Sequence, residues 1–172
     1  MIINQRKPII VEGPDGAGKS IIATQIAKAL ELPLIHEGGP PRTRRESSNR
    51  VTKSILNLRT NCVCDRVGFV SSAIYGKYRY QIPVIPSSLS IKIAQAYKPI
   101  VVYCKPTQLQ HKFEEYDDPE YLAWLTCFKP WIKLEYDLYM RRVDHLSYDW
   151  IADVDGQDLI GLIERIASRL CS

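Results

Sequence analysis

At 172 residues, with 45% hydrophobic and 24% charged side chains and a formal net charge of +4, the chain has the composition of one globular domain, 1–172. That balance excludes a disordered chain, and no apolar run reaches the ~20 residues of a membrane-spanning helix. Residues Met1 to Pro8 lack the apolar stretch and cleavage site of a secretory signal, and the five cysteines contain no C-x-x-C pair, so reduced thiols and a cytoplasmic location are expected.

The first apolar run, Pro8 to Glu12, predicts a buried strand, and it leads straight into Gly13-Pro14-Asp15-Gly16-Ala17-Gly18-Lys19-Ser20. This is the full G-x-x-x-x-G-K-[S/T] pattern. Its glycines turn successive N–H groups toward a polyphosphate, Lys19 reaches the β/γ oxygens and the Ser20 hydroxyl ligates Mg²⁺. The next residues place Ile22, Ile26, Ala29 and Leu30 at helical spacing, so the loop opens an amphipathic helix with its dipole facing the phosphates. ATP and Mg²⁺ are the expected cofactors.

Further short apolar runs at Leu32 to His36, Asn61 to Asp65, Pro99 to Cys104 and His145 to Trp150 alternate with helical patterns near 43–58, 68–77, 86–97, 119–142 and 157–170. Such alternation predicts a parallel sheet with crossover helices. The second run is followed by Arg42, Arg44, Arg45, Arg50, Lys53 and Arg59, a basic segment suited to an anionic partner or, equally, a solvated helix face. Cys62 and Cys64 flank Val63 in the third strand and share one face. That strand ends in Asp65-Arg66 at the carboxyl edge of the sheet, where open α/β folds bind ligands. Asp65 can hold Mg²⁺ through water, and Arg66 can clamp a phosphate. Pro130 predicts a kink or a break in the long 119–142 helix. The irregular stretch from Lys105 to Pro119, rich in acids, reads as a lid or binding loop, with a disordered surface loop as the alternative.

Taken together, the sequence Val11-Glu12-Gly13-Pro14-Asp15-Gly16-Ala17-Gly18-Lys19-Ser20, the Asp65-Arg66 pair, and Ser71 followed by Tyr75-Gly76 resemble the thymidylate kinase and deoxynucleoside kinase group, small phage-type members in particular. The resemblance implies a three-layer α/β fold of the P-loop type, with five parallel strands in the order 2-3-1-4-5 between helices. It places Asp15 against the acceptor sugar and Arg66 on the phosphates near the transfer point. His36-Glu37-Gly38-Gly39-Pro40-Pro41 matches the group's loop after the second strand. Glu37 is then the candidate general base for a hydroxyl acceptor, Gly38 and Gly39 allow close approach, and His36 either orients the acceptor or packs at the strand end. Ser71, Tyr75 and Arg79 complete the expected acceptor site with Arg42 and Arg66, and Tyr75 and Tyr78 are candidates for stacking on a base.

Two departures stand out. Residues 106–128 contain no arginine, which leaves Lys105, Lys112, Lys129, Arg141 or Arg142 to supply the lid cation, and one extra residue separates Asp65-Arg66 from Ser71 and Tyr75. The expected activity is transfer of the γ-phosphate of ATP to a deoxynucleoside monophosphate. The alternatives are a hydroxyl acceptor, on a nucleoside or on a hydroxymethyluracil-type pyrimidine in phage DNA, and a non-catalytic nucleotide-binding switch. The guanine-reading Asn-Lys-x-Asp tetrapeptide does not occur. A small nucleotide is the expected partner, with DNA and a homodimer left open and the host cytoplasm as the location of a phage-encoded chain.

Overall fold

The computed structural model describes residues 7–38, 40–79, 83–106, 119–150 and 157–172. Five strands form one parallel sheet: β1 (Ile9–Glu12), β2 (Leu34–His36), β3 (Val63–Asp65), β4 (Ile100–Pro106) and β5 (His145–Trp150), in the order β2-β3-β1-β4-β5. The expected order is therefore observed. Six helices alternate with them among the described residues: α1 (Lys19–Ala29), α2 (Arg44–Asn57), α3 (Gly68–Arg79), α4 (Ser87–Tyr97), α5 (Pro119–Met140) and α6 (Gln157–Cys171).

The period-2 alternation of the strands divides the core between the two faces of the sheet. Ile9, Val11, Val63, Ile100 and Val102 pack with Ile22, Ala23, Ile26 and Ala27 of α1 and with Leu162 and Ile166 of α6. On the other face Ile10, Cys62, Cys64, Val101 and Tyr103 meet α3, α4 and α5, with Val51 of α2. Continuous apolar strands follow from this double coverage, since a parallel sheet buries both faces. Cys62 and Cys64 do share a face, with their Sγ atoms 3.6 Å apart.

Two helices differ in detail from expectation. In α1 the buried stripe is Ile22, Ala23, Ile26 and Ala27, while Ala29 is exposed at the last helical position. The α5 helix runs unbroken through Pro130. The carbonyl that loses its partner there belongs to Thr126, and both residues are exposed, where water can reach it. Leu125 and Ile132, buried on either side, anchor both halves in the core. The Thr43 N-cap of α2 accepts a hydrogen bond from the Glu46 amide at 3.1 Å, and the Glu46 carboxylate reaches back to the Arg42 amide at 2.8 Å.

Candidate functional site

Because all five strands are parallel, their carboxyl ends lie together, and the loops that leave them build the site. The phosphate-binding loop joins β1 to α1. Gly13 adopts φ +153°, and a Cβ there would stand 2.4 Å from the Cys104 carbonyl oxygen, so only glycine lets the loop leave β1 so close to β4. Gly16 and Gly18 follow with positive φ, Ala17 is fully buried, and Lys19 and Ser20 form the first helical residues, Lys19 buried and Ser20 exposed. The Lys19 ammonium donates to the Pro14 carbonyl. Burial, followed by repulsion from Arg66, lowers the Lys19 pKa to about 8.

Asp15 connects this loop to the turn after β3 and to α3. Its Oδ1 is paired with the Arg66 guanidinium, and its Oδ2 accepts from the Tyr75 hydroxyl at 2.9 Å and the Tyr121 hydroxyl at 3.5 Å. Burial pushes Asp15 toward its neutral form, but Arg66, Lys19 and Tyr75 outweigh it and hold the carboxyl below its usual range. The Arg66 guanidinium also lies over the Tyr75 ring, 5.5 Å from its centroid. Asp15, expected against the acceptor sugar, and Arg66, expected on the phosphates near the transfer point, are thus in contact, 51 positions apart in sequence.

Beyond Arg66 opens a cleft with about 530 Å³ of free space, its mouth included, lined by Glu37, Gly38, Pro40 and Pro41, by Ser47 and Arg50 of α2, by Gly68, Ser71, Ser72, Tyr75, Gly76 and Arg79 of α3, and by Tyr121 of α5. Glu37 Oε1 accepts from the Gly68 amide at the start of α3. Burial first, and the charge of Glu12 second, raise the Glu37 pKa to about 7. The Ser71 and Ser72 hydroxyls are buried in the wall without a hydrogen-bond partner among the described residues. Arg79 donates to the Pro41 carbonyl at 3.1 Å and stacks over Tyr121 and Trp124, 4.7 and 5.1 Å from their centroids.

Several expected residues stand elsewhere. Arg42 is exposed ahead of α2 and does not line the cleft. His36 neither lines the cleft nor packs as a buried strand end. Its side chain is 54% exposed, and its Nδ1 lies 3.0 Å from Asp65 Oδ2, because β2 and β3 place the two residues opposite each other. Tyr78 packs on Phe128 rather than facing the cleft, with centroids 5.2 Å apart. Arg141 and Arg142 follow α5 just before β5 begins, at the amino edge of the sheet and away from the phosphate loop. Lys105 ends at the carboxyl edge, with its ammonium 5.6 Å from the Tyr103 centroid. Gly39, Lys112 and nearly all of the expected lid lie outside the described residues, as does the Asp155-Gly156 start expected for α6.

Sequence reasoning missed Tyr121, Trp124 and Glu12. The first two stand at i, i+3 on the opening turns of α5, a spacing visible in the chain, and stack with centroids 5.7 Å apart. Glu12, a carboxylate ending an apolar strand, is fully buried, and burial raises its pKa to about 7 despite Arg66.

The donor set fits a hard divalent cation. The Ser20 hydroxyl is exposed at the helix start, and Asp65 gives one carboxylate oxygen to His36, leaving the other for water or a metal. Mg²⁺ takes one or two protein oxygens of this kind beside phosphate oxygens and water.

Solved structures share this architecture. The YorR protein of Bacillus subtilis, in complex with phosphorylated GDP, aligns with a TM-score of 0.62 and 20% identity over 95% of this chain and 95% of its own. Deoxyadenosine kinase from M. mycoides, with products dCMP and dCDP bound, aligns with a TM-score of 0.57 and 18% identity over 95% and 99%. Thymidylate kinase from Ehrlichia chaffeensis gives 0.52 and 16% over 95% and 98%. No family model matches the chain, and no curated protein matches it in sequence. What this chain shares with those proteins is the fold, a five-stranded parallel sheet in the order β2-β3-β1-β4-β5 between layers of helices.

Proposed function

We propose that the chain is an ATP-dependent phosphotransferase whose acceptor is a deoxynucleoside monophosphate. The observation that carries this reading is the set of guanidinium groups lining one cleft: Arg79, stacked on Tyr121 and Trp124, stands with Arg66, which pairs with Asp15, and Arg50, which pairs with Glu46. An acceptor's phosphate is the kind of group that such guanidiniums bind by charge-assisted, bidentate hydrogen bonds. Tyr75 and Tyr121 give the same wall apolar ring surface on which a base can lie.

In this reading the loop amides of residues 13–20 cradle the triphosphate of ATP, and Lys19 moves from the Pro14 carbonyl to the β/γ oxygens. Ser20 and Asp65 hold Mg²⁺, which when bound neutralises phosphate charge. Asp15 and Tyr75 orient the acceptor sugar, while Arg66, between loop and cleft, meets the negative charge at the transfer point. The fold shared with two nucleoside or nucleotide kinases agrees with this assignment.

A second acceptor class has its own support. Glu37 faces the cleft with a pKa of about 7, suited to taking a proton from a hydroxyl on a nucleoside or on a modified pyrimidine in DNA. An acceptor screen with γ-labelled ATP and Mg²⁺ separates the two. Label in deoxynucleoside diphosphates is the expected result, and label in nucleosides or DNA moves the assignment to a hydroxyl acceptor. Label released only as inorganic phosphate, or retained on bound ATP, refutes a transferase and favours a nucleotide-binding switch.

A further inference from the structure

Glu12 has no role in the chemistry above, yet it is the most enclosed carboxylate at the site, with 0% exposure. As the last residue of β1 it shares a face with Ile10 and so turns toward α3 and α5 rather than toward the phosphate loop. Its Oε1 accepts from the Val67 amide at 2.8 Å, and its Oε2 accepts from the Tyr136 hydroxyl of α5 at 3.0 Å.

The Val67 contact falls where the sheet ladder ends. Val11 and Asp65 are the last register pair of β1 and β3. Past it the Arg66 amide donates to the Val11 carbonyl at 3.0 Å, and the next amide, that of Val67, donates to the Glu12 side chain. Between these two anchors Arg66 adopts φ +69°, in the left-handed region that a residue with a Cβ disfavours. Glycine would adopt it freely but carries no guanidinium. An arginine aimed at Asp15 from this turn therefore needs its backbone held on both sides.

Resting on the phosphotransferase reading, we infer that Glu12 is a positioning residue: its carboxylate pins the Val67 amide and thereby fixes the turn that delivers the Arg66 guanidinium to Asp15 and the transfer point. The Tyr136 contact braces the same carboxylate against α5, the helix that follows the expected lid.

Two substitutions grade the contact. Glu12→Gln keeps an acceptor for the Val67 amide, whereas Glu12→Asp is one methylene shorter and falls short of it. The first readout needs no acceptor. In protein labelled with ¹⁵N-arginine, the Arg66 guanidinium signal, assigned by its loss in Arg66→Lys, is expected to be protected from exchange in wild type and Glu12→Gln and to exchange rapidly in Glu12→Asp, with the other arginine signals in place. A protected Arg66 signal in Glu12→Asp overturns the inference, whatever the protein phosphorylates.

The second readout is turnover. Glu12→Asp is expected to lower kcat about tenfold to a hundredfold, with the KM for ATP within about twofold and recovery in Glu12→Gln, the pattern of a displaced group at the transfer point. In an Arg66→Lys background the same change adds less than about twofold, because the two residues act as one unit. An equal loss in both backgrounds identifies a merely structural role and overturns the inference. A wild-type protein that transfers label to no acceptor defeats the phosphotransferase reading instead and leaves the arginine signal to decide on Glu12.

Discussion

The half-buried Glu37 holds its proton more tightly than a solvent carboxylate because the cleft wall screens it from water and Glu12 lies behind it. This has a definite sign. With a pKa near 7 in the fold and 4.5 as its ordinary value, the group takes up a proton on folding between those limits. Its stabilising contribution is therefore full below pH 4.5 and is lost as the pH rises through 7. Glu37→Gln removes the titration, so its unfolding midpoint relative to wild type is expected to improve from pH 5 to pH 8. A constant difference across that range would show that Glu37 titrates normally. The same substitution reports on the acceptor: turnover falls roughly a hundredfold or more where Glu37 takes the proton of a hydroxyl, and stays near wild type where a phosphate accepts.

Among the elements, the join between α2 and α3 sets the width of the cleft. At Gly68 a Cβ would lie 2.6 Å from the Arg50 carbonyl carbon and 2.7 Å from the Val51 nitrogen, which are backbone atoms that cannot swing aside. Gly68→Ala is expected to cost about 1–3 kcal/mol, seen as a fall of roughly 2–10 °C in the unfolding midpoint. Gly161 in α6 meets nothing within 4 Å, and Gly161→Ala, scanned alongside, is expected to be neutral or to stabilise by up to ~1 kcal/mol. Equal effects at the two positions would contradict the close approach. The strands and helices themselves were legible in the chain because double burial writes continuous apolar runs and because Lys19 and Ser20 must open a helix. The cleft lining was legible in part: Glu37, Arg66, Ser71, Tyr75 and Arg79 stand around one cleft, and Asp15 meets it through Arg66 and Tyr75. His36 was misread because its partner, Asp65, is set by the β2–β3 register, which local sequence does not encode. Glu12 was passed over because a charged residue closing an apolar strand gives no local sign of burial, and Tyr121 reaches Asp15 across 106 positions. Such contacts exist only once the sheet has placed α5 beside α3.

Over the whole molecule, the two ends of the sheet carry different loads. The carboxyl edge gathers the phosphate loop, Asp65-Arg66 and the Glu37 loop, and Asp15 ties the first of these to the cleft through Arg66 on one oxygen and Tyr75 on the other. The amino edge holds Arg141 and Arg142 and no member of that group. The central claim is that the loop and the cleft form a single site across which a phosphate passes. It is tested most directly by calorimetric titration with a bisubstrate compound, adenosine and a deoxynucleoside joined through five phosphates, against an unreactive ATP analogue alone. Occupying both halves at once is expected to raise the affinity at least about a hundredfold, as linked binding does when geometry allows both ends to engage. An affinity equal to that of the ATP analogue, for compounds carrying each of the four bases, would contradict the account.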